Sequence, residues 1–154
     1  MIDKTIPLFK LIGIKLPHRT TNHNGQSNKD CGELWQAFEK QKISQRITNK
    51  TQDSIYAVYY DYESNELGEF SYFIGCPVET DSIVPDGLDE LMIPKQHYQL
   101  VKAKGKMPQC IGDAWQRIWS SPFNRQFGYD FEVYDHRSAD WSNAEVDIYL
   151  SVKG

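Results

Sequence analysis

The sequence predicts an α+β fold made of two successive β-α-β-β units, and three patterns predict it. Period-two runs of apolar residues recur near residues 6–16, 55–62, 70–78, 97–103, 130–134 and 145–152, as strands with a buried face require. Two amphipathic helical stripes carry the related sequences Leu34-Trp35-Gln36 and Ala114-Trp115-Gln116. The order of elements repeats over about 6–79 and 95–153, which points to an internal duplication. With 154 residues the chain fits one domain, 1–154, which at this size buries roughly 68–70% of its unfolded surface.

The first strand is expected from Ile6 to Leu16, where Ile6, Leu8, Ile12, Ile14 and Leu16 alternate and Lys10 interrupts. His18 to Lys29, rich in Asn, Thr, Ser and Gly, reads as a mobile loop. A helix follows with Asp30 as its N-cap and Glu33 as the capping-box partner. Leu34, Trp35 and Phe38 form its apolar stripe, and Ile43 and Ile47 pack near its end. Ile55 to Tyr62 is a strand with β-formers on both faces: Ile55, Ala57 and Tyr59 on one, Tyr56, Val58, Tyr60 and Tyr62 on the other. Such a strand is buried on both sides or has one face on a pocket. A turn at Ser64 to Gly68 returns the chain as a strand from Phe70 to Val78, and Thr80 to Pro94 reads as an irregular crossover. The second unit has a strand near His97 to Ala103 and a helix from about Pro108 to Ser120. Ile111, Ala114, Trp115, Ile118 and Trp119 give that helix its apolar face. Strands at Asp130 to Asp135 and Glu145 to Val152 close it as a hairpin.

Composition excludes several classes. The net charge is -4, from 17 basic and 21 acidic residues without a basic run, so a nucleic-acid or anionic-membrane surface is not expected. With a strand opening the sequence, no DNA-binding module of its own is expected either. Cys31, Cys76 and Cys110 are odd in number and widely spaced, as reduced cytoplasmic thiols are, and the four histidines lack ligand spacing. No metal and no cofactor are expected. The start of the chain lacks a signal-peptide pattern and no apolar run is long enough to span a bilayer, so a cytoplasmic protein is expected.

One residue stands out against the pattern. In Phe131-Glu132-Val133-Tyr134 the alternation puts Phe131 and Val133 on one face, Glu132 and Tyr134 on the other. In the closing strand Val146, Ile148 and Leu150 form the apolar face, opposite Asp147, Tyr149 and Ser151. A glutamate alternating with apolar residues is ordinarily the solvated face of a sheet. If its face looks into a cavity instead, that cavity holds a negative charge among tyrosines.

The twofold β-α-β-β order, the Trp-bearing helices, the linker Pro85, Gly87, Leu88 and the strand pair Phe131-Glu132-Val133-Tyr134 and Asp147-Ile148-Tyr149 resemble the GyrI-like effector-binding domain family. That family includes the ligand domains of AraC-type and MerR-type bacterial transcription regulators. The resemblance implies a curved antiparallel sheet with two main helices and a central cleft, in which multidrug-sensing members bind lipophilic cations. It places the cleft acid at Glu132, with Tyr134 and Tyr149 beside it. It also implies walls from Trp35, Tyr60 and Trp115, for which ordinary core packing is the other reading.

The implied function is therefore a cytoplasmic binding protein for amphipathic cations. A protein-interaction module, such as a DNA gyrase modulator, is the alternative from a different class. A GyrI-like hydrolase with a glutamate base ranks last, because no Ser/His/Asp or Cys/His arrangement supports catalysis.

Overall fold

A computed structural model describes residues 2–153. Its strands are β1 (Ile2–Ile6), β2 (Phe9–Lys15), β3 (Thr20–Thr21), β4 (Ile55–Tyr60), β5 (Glu69–Val78), β6 (Asp89–Ile93), β7 (Gln96–Gly105), β8 (Asp130–Tyr134) and β9 (Ala144–Ser151). The helices are α1 (Gln26–Lys40), α2 (Ile43–Arg46) and α3 (Gln109–Trp119). Every strand pairing is antiparallel, in the order β1-β7-β9-β8-β4-β5-β2-β6, with the short β3 on the start of β5. The duplicated units are visible in that order: β2-β5-β4 mirrors β7-β9-β8 across the central β4–β8 pair.

Four local expectations are corrected. Pro7 splits the first strand into β1 and β2, since it has no N–H for the ladder. The segment 18–29 is not an open loop; it holds β3, a 3-10 turn at His23–Gly25 and the start of α1. That helix begins at Gln26, so Asp30 is internal, its carboxylate accepting from Thr20 Oγ1 (2.7 Å) and Gln26 Nε2 (2.9 Å). The crossover 80–94 contains β6, which pairs with β2.

The links between strands force the sheet to curl. Two residues, Pro7 and Leu8, join β1 to β2, and two, Pro94 and Lys95, join β6 to β7, although both connections run between opposite ends of the strand order. Six strand spacings would separate them by roughly 29 Å in a flat sheet. Such a link spans only about 11 Å. Phe9 on β2 accordingly meets Phe131 on β8 at 5.6 Å between ring centroids, across two intervening strands. The inner face of the curl is an apolar layer of Leu11, Val58, Phe73, Ile93, Tyr98, Phe131 and Val133. Both long helices lie on the other face. There α1 packs on Ile12, Ala57, Tyr72 and Ile74, and α3 on Ala103, Val146, Ile148 and Leu150, leaving a groove between the helices over the β4–β8 seam.

Candidate functional site

The groove is a cleft of about 1810 Å³, and the strand alternation decides which side chains reach it. On β4, Ile55 and Tyr59 point to the helix side; on β8, Glu132 and Tyr134 do the same. The i, i+4 stripe of α1 brings Cys31 and Trp35 to one wall, and that of α3 brings Ile111 and Trp115 to the other.

Glu132 lies under this surface with 1% of its area exposed. Its Oε2 accepts hydrogen bonds from Tyr59 Oη (2.8 Å) and Trp115 Nε1 (2.7 Å), and its Oε1 from Tyr134 Oη (2.6 Å). None of the ion pairs among the described residues includes it. Burial pushes the Glu132 carboxyl above its ordinary range, and the three donors pull in the opposite direction. The neighbouring hydroxyls of Tyr59, Tyr72 and Tyr134 are driven well up by burial and by that carboxylate, which keeps them protonated, Tyr59 and Tyr134 as its donors. The rings form a linked cage. Trp35 meets Tyr134 edge-on at 5.0 Å and donates from Nε1 to Tyr72 Oη (2.9 Å), while Tyr59 meets Trp115 at 5.0 Å.

A second acid on the same strand face is treated differently. Asp130 is 0% exposed, but Arg125 Nη2 (3.0 Å), Tyr62 Oη (2.6 Å) and the Ser151 N–H and hydroxyl (2.7 and 2.6 Å) all donate to it. Asp130 is thus matched in charge and hydrogen bonds, whereas Glu132 is matched in hydrogen bonds alone.

Of the six residues expected to bind ligand, the structure brings Glu132, Tyr134, Trp35 and Trp115 together in the cleft. Tyr60 and Tyr149 lie elsewhere. Glu132 pairs with Ile148, so Tyr149 falls beside Phe131 on the inner face and stacks on it at 4.8 Å. Tyr60 also faces inward and stacks on Tyr129 at 5.7 Å. The cleft tyrosines that sequence reasoning missed are Tyr59, Tyr62 and Tyr72: Tyr59 is one strand position from an assigned tyrosine, Tyr72 lies on a face read only as core, and Tyr62, expected on the Tyr60 face, turns to the cleft because β4 ends at Tyr60 and Asp61 takes a positive φ of 53°. For Tyr59 and Tyr72 the signal was present in the alternation of β4 and β5, but which face meets the helices depends on register. Among the described residues, no group of three or more His, Cys, Asp or Glu could hold a metal ion. All three cysteines are free, and among the described residues no helix is long and apolar enough to cross a membrane.

A curled antiparallel sheet carrying two helices and an aromatic cleft over a buried acid defines a small-molecule effector-binding domain. The chain belongs to the integron-associated effector binding protein family, whose model matches residues 4–152. The resemblance to GyrI-like effector-binding domains holds, and with it the link to the ligand domains of transcription regulators. YobU of Bacillus subtilis, a protein named as a transcriptional regulator, is 30% identical over 124 residues, 78% of each chain. An integron cassette protein from the mobile metagenome of Vibrio cholerae is 26% identical and superposes with a TM-score of 0.73, covering 99% of this chain and 95% of that one. SAV2435, solved bound to tetraphenylphosphonium, has the same fold with a TM-score of 0.80 over 99% of this chain and 93% of its own, at 17% identity.

Proposed function

We propose that this chain is a cytoplasmic effector-binding domain for lipophilic cations, bound in the cleft with Glu132 as the charge that selects them. The observation that carries the reading is a buried carboxylate held by three neutral donors and no cation. Removing a carboxylate from water is unfavourable by several kcal/mol, and a ligand cation offsets that in a medium where charges are weakly screened. Trp35, Tyr59, Tyr134 and Trp115 roof the acid, so the cation rests on ring faces, each contributing roughly 0.5–2 kcal/mol. Flat rings accept many shapes, which suits a broad ligand range. The tetraphenylphosphonium held by SAV2435 is a ligand of this type.

The test is a titration of the protein's tryptophan fluorescence with tetraphenylphosphonium and with tetraphenylborate, its near-isosteric anion. We expect the cation to bind at least about tenfold more tightly. Equal affinities would overturn the proposal.

A further inference from the structure

Arg125 also lines the cleft, and the attraction of a cation to Glu132 makes no use of it. Its side chain is 7% exposed, and Nη2 donates to Asp130 Oδ2 at 3.0 Å. Nη1 stands 3.7 Å from Glu66 Oε2, an ion pair longer than a hydrogen bond. Neither Nε nor Nη1 has a hydrogen-bond partner among the described residues. Buried donors are almost always matched, so each open one marks a place for an acceptor; Nε–H shares its edge with the Nη2 that holds Asp130, whereas Nη1 diverges from it on the side of Glu66, which also lines the cleft. The guanidinium carbon lies 4.1 Å from the Phe127 ring centroid and 5.9 Å from that of Trp115. Trp115 is also the indole that donates to Glu132, so one side chain touches both charged groups.

We infer that the open Nη1 of Arg125 forms a second recognition point, donating to a neutral oxygen acceptor, a carbonyl or amide, carried by the same cationic ligand. The inference rests on the cation reading of the cleft. A neutral acceptor is preferred over a carboxylate because Asp130 and Glu66 already offset the guanidinium charge and Glu132 adds a third acid nearby. The Phe127 ring beside the guanidinium belongs to the irregular segment between α3 and β8. The ligand class so defined is a cationic amphiphile with a carbonyl group at a fixed distance from its charge.

The experiment measures affinities for aryl quaternary ammonium amides of increasing spacer length, each beside an alkyl counterpart lacking the carbonyl. At one spacer length the amide should bind the native protein roughly ten- to a hundredfold more tightly than its counterpart. Arg125→Lys keeps a positive charge beside Asp130 but loses the fork, so it should abolish that preference while the carbonyl-free cation still binds. Should Arg125→Lys fail to fold, isotope-edited infrared spectra of a 13C=O-labelled amide on the native protein give the same information. Hydrogen bonding to the guanidinium lowers the carbonyl frequency on binding, and an unshifted band would overturn the inference. Tight binding of both members with no difference at any spacer overturns the inference alone, as does a preference that survives Arg125→Lys. Failure of every cation to bind overturns the proposed function and this inference with it.

Discussion

Burial and three hydrogen-bond donors act on the Glu132 carboxyl in opposite directions, and burial prevails. Burial raises its folded-state pKa above the unfolded value of about 4.3. The folded protein therefore holds this proton more tightly, so the stability contribution is present below that value and is lost as pH rises through the elevated folded-state pKa. Cation binding runs the other way, strengthening over the same interval as the carboxylate forms. Titrations and melts from acid to neutrality should show these opposed trends, and Glu132→Gln should remove both. The same variant should lose cation affinity by about ten- to a hundredfold with its melting temperature kept or raised, because the amide carries no charge to desolvate. Unchanged affinity would return Glu132 to a structural role. Trp115→Phe deletes one donor to the carboxylate, so the pH midpoint for cation binding should move upward. Tyr59→Phe should weaken binding, whereas Tyr60→Phe, on the inner face, should leave it within error.

Among the elements, the long helix α3 was legible because its apolar stripe repeats without interruption, and the structure shifts its ends by a single residue. The start of α1 was not, because Asp30 and Glu33 imitate a capping box while Thr20, distant in local sequence terms, takes the Asp30 carboxylate. The strand β6 was hidden by Pro85, Gly87 and Pro94, residues that mark turns whether or not a strand lies between them. Alternation gave the two faces of β8 and of β4 as far as Tyr60, placing Glu132 with Tyr134, but it misplaced Tyr62, which follows the break at Asp61. It could not give the β8–β9 register, and that register alone sends Ile148 to the cleft side and Tyr149 inward. A device the sequence concealed entirely is the pair Gly13 and Gly75, which oppose each other between β2 and β5. A Cβ on Gly75 would stand 2.5 Å from the Ile12 carbonyl oxygen, and one on Gly13 would collide with that of Ile74. Close backbone approach at a tight bend is a use of glycine in strands. Gly13→Ala and Gly75→Ala should each destabilise the protein by about 3 kcal/mol, read from urea unfolding, and a loss below ~0.5 kcal/mol would show that the bend does not need them.

At the scale of the whole molecule the two halves are interlaced at their edges. β1 belongs by sequence to the first unit but pairs with β7 of the second, and β6, which leads into β7, pairs with β2 of the first. Neither half completes its own sheet. Proteolytic nicking in the segment around the exposed Ile83 should thus leave a folded protein that melts in one transition. The two fragments, once separated in denaturant, should each remain unfolded by circular dichroism and regain structure only on mixing. A fragment that folds alone would contradict this. The same exchange orders events during translation. β1 is made before β2 to β6, yet residues 96–100, its partner, follow only after them, and β7 in turn needs β9 on its other side. The nascent chain consequently carries an unpaired β1 and an open aromatic interior until almost all of the described residues have been synthesised, a window in which chaperone capture competes with closure.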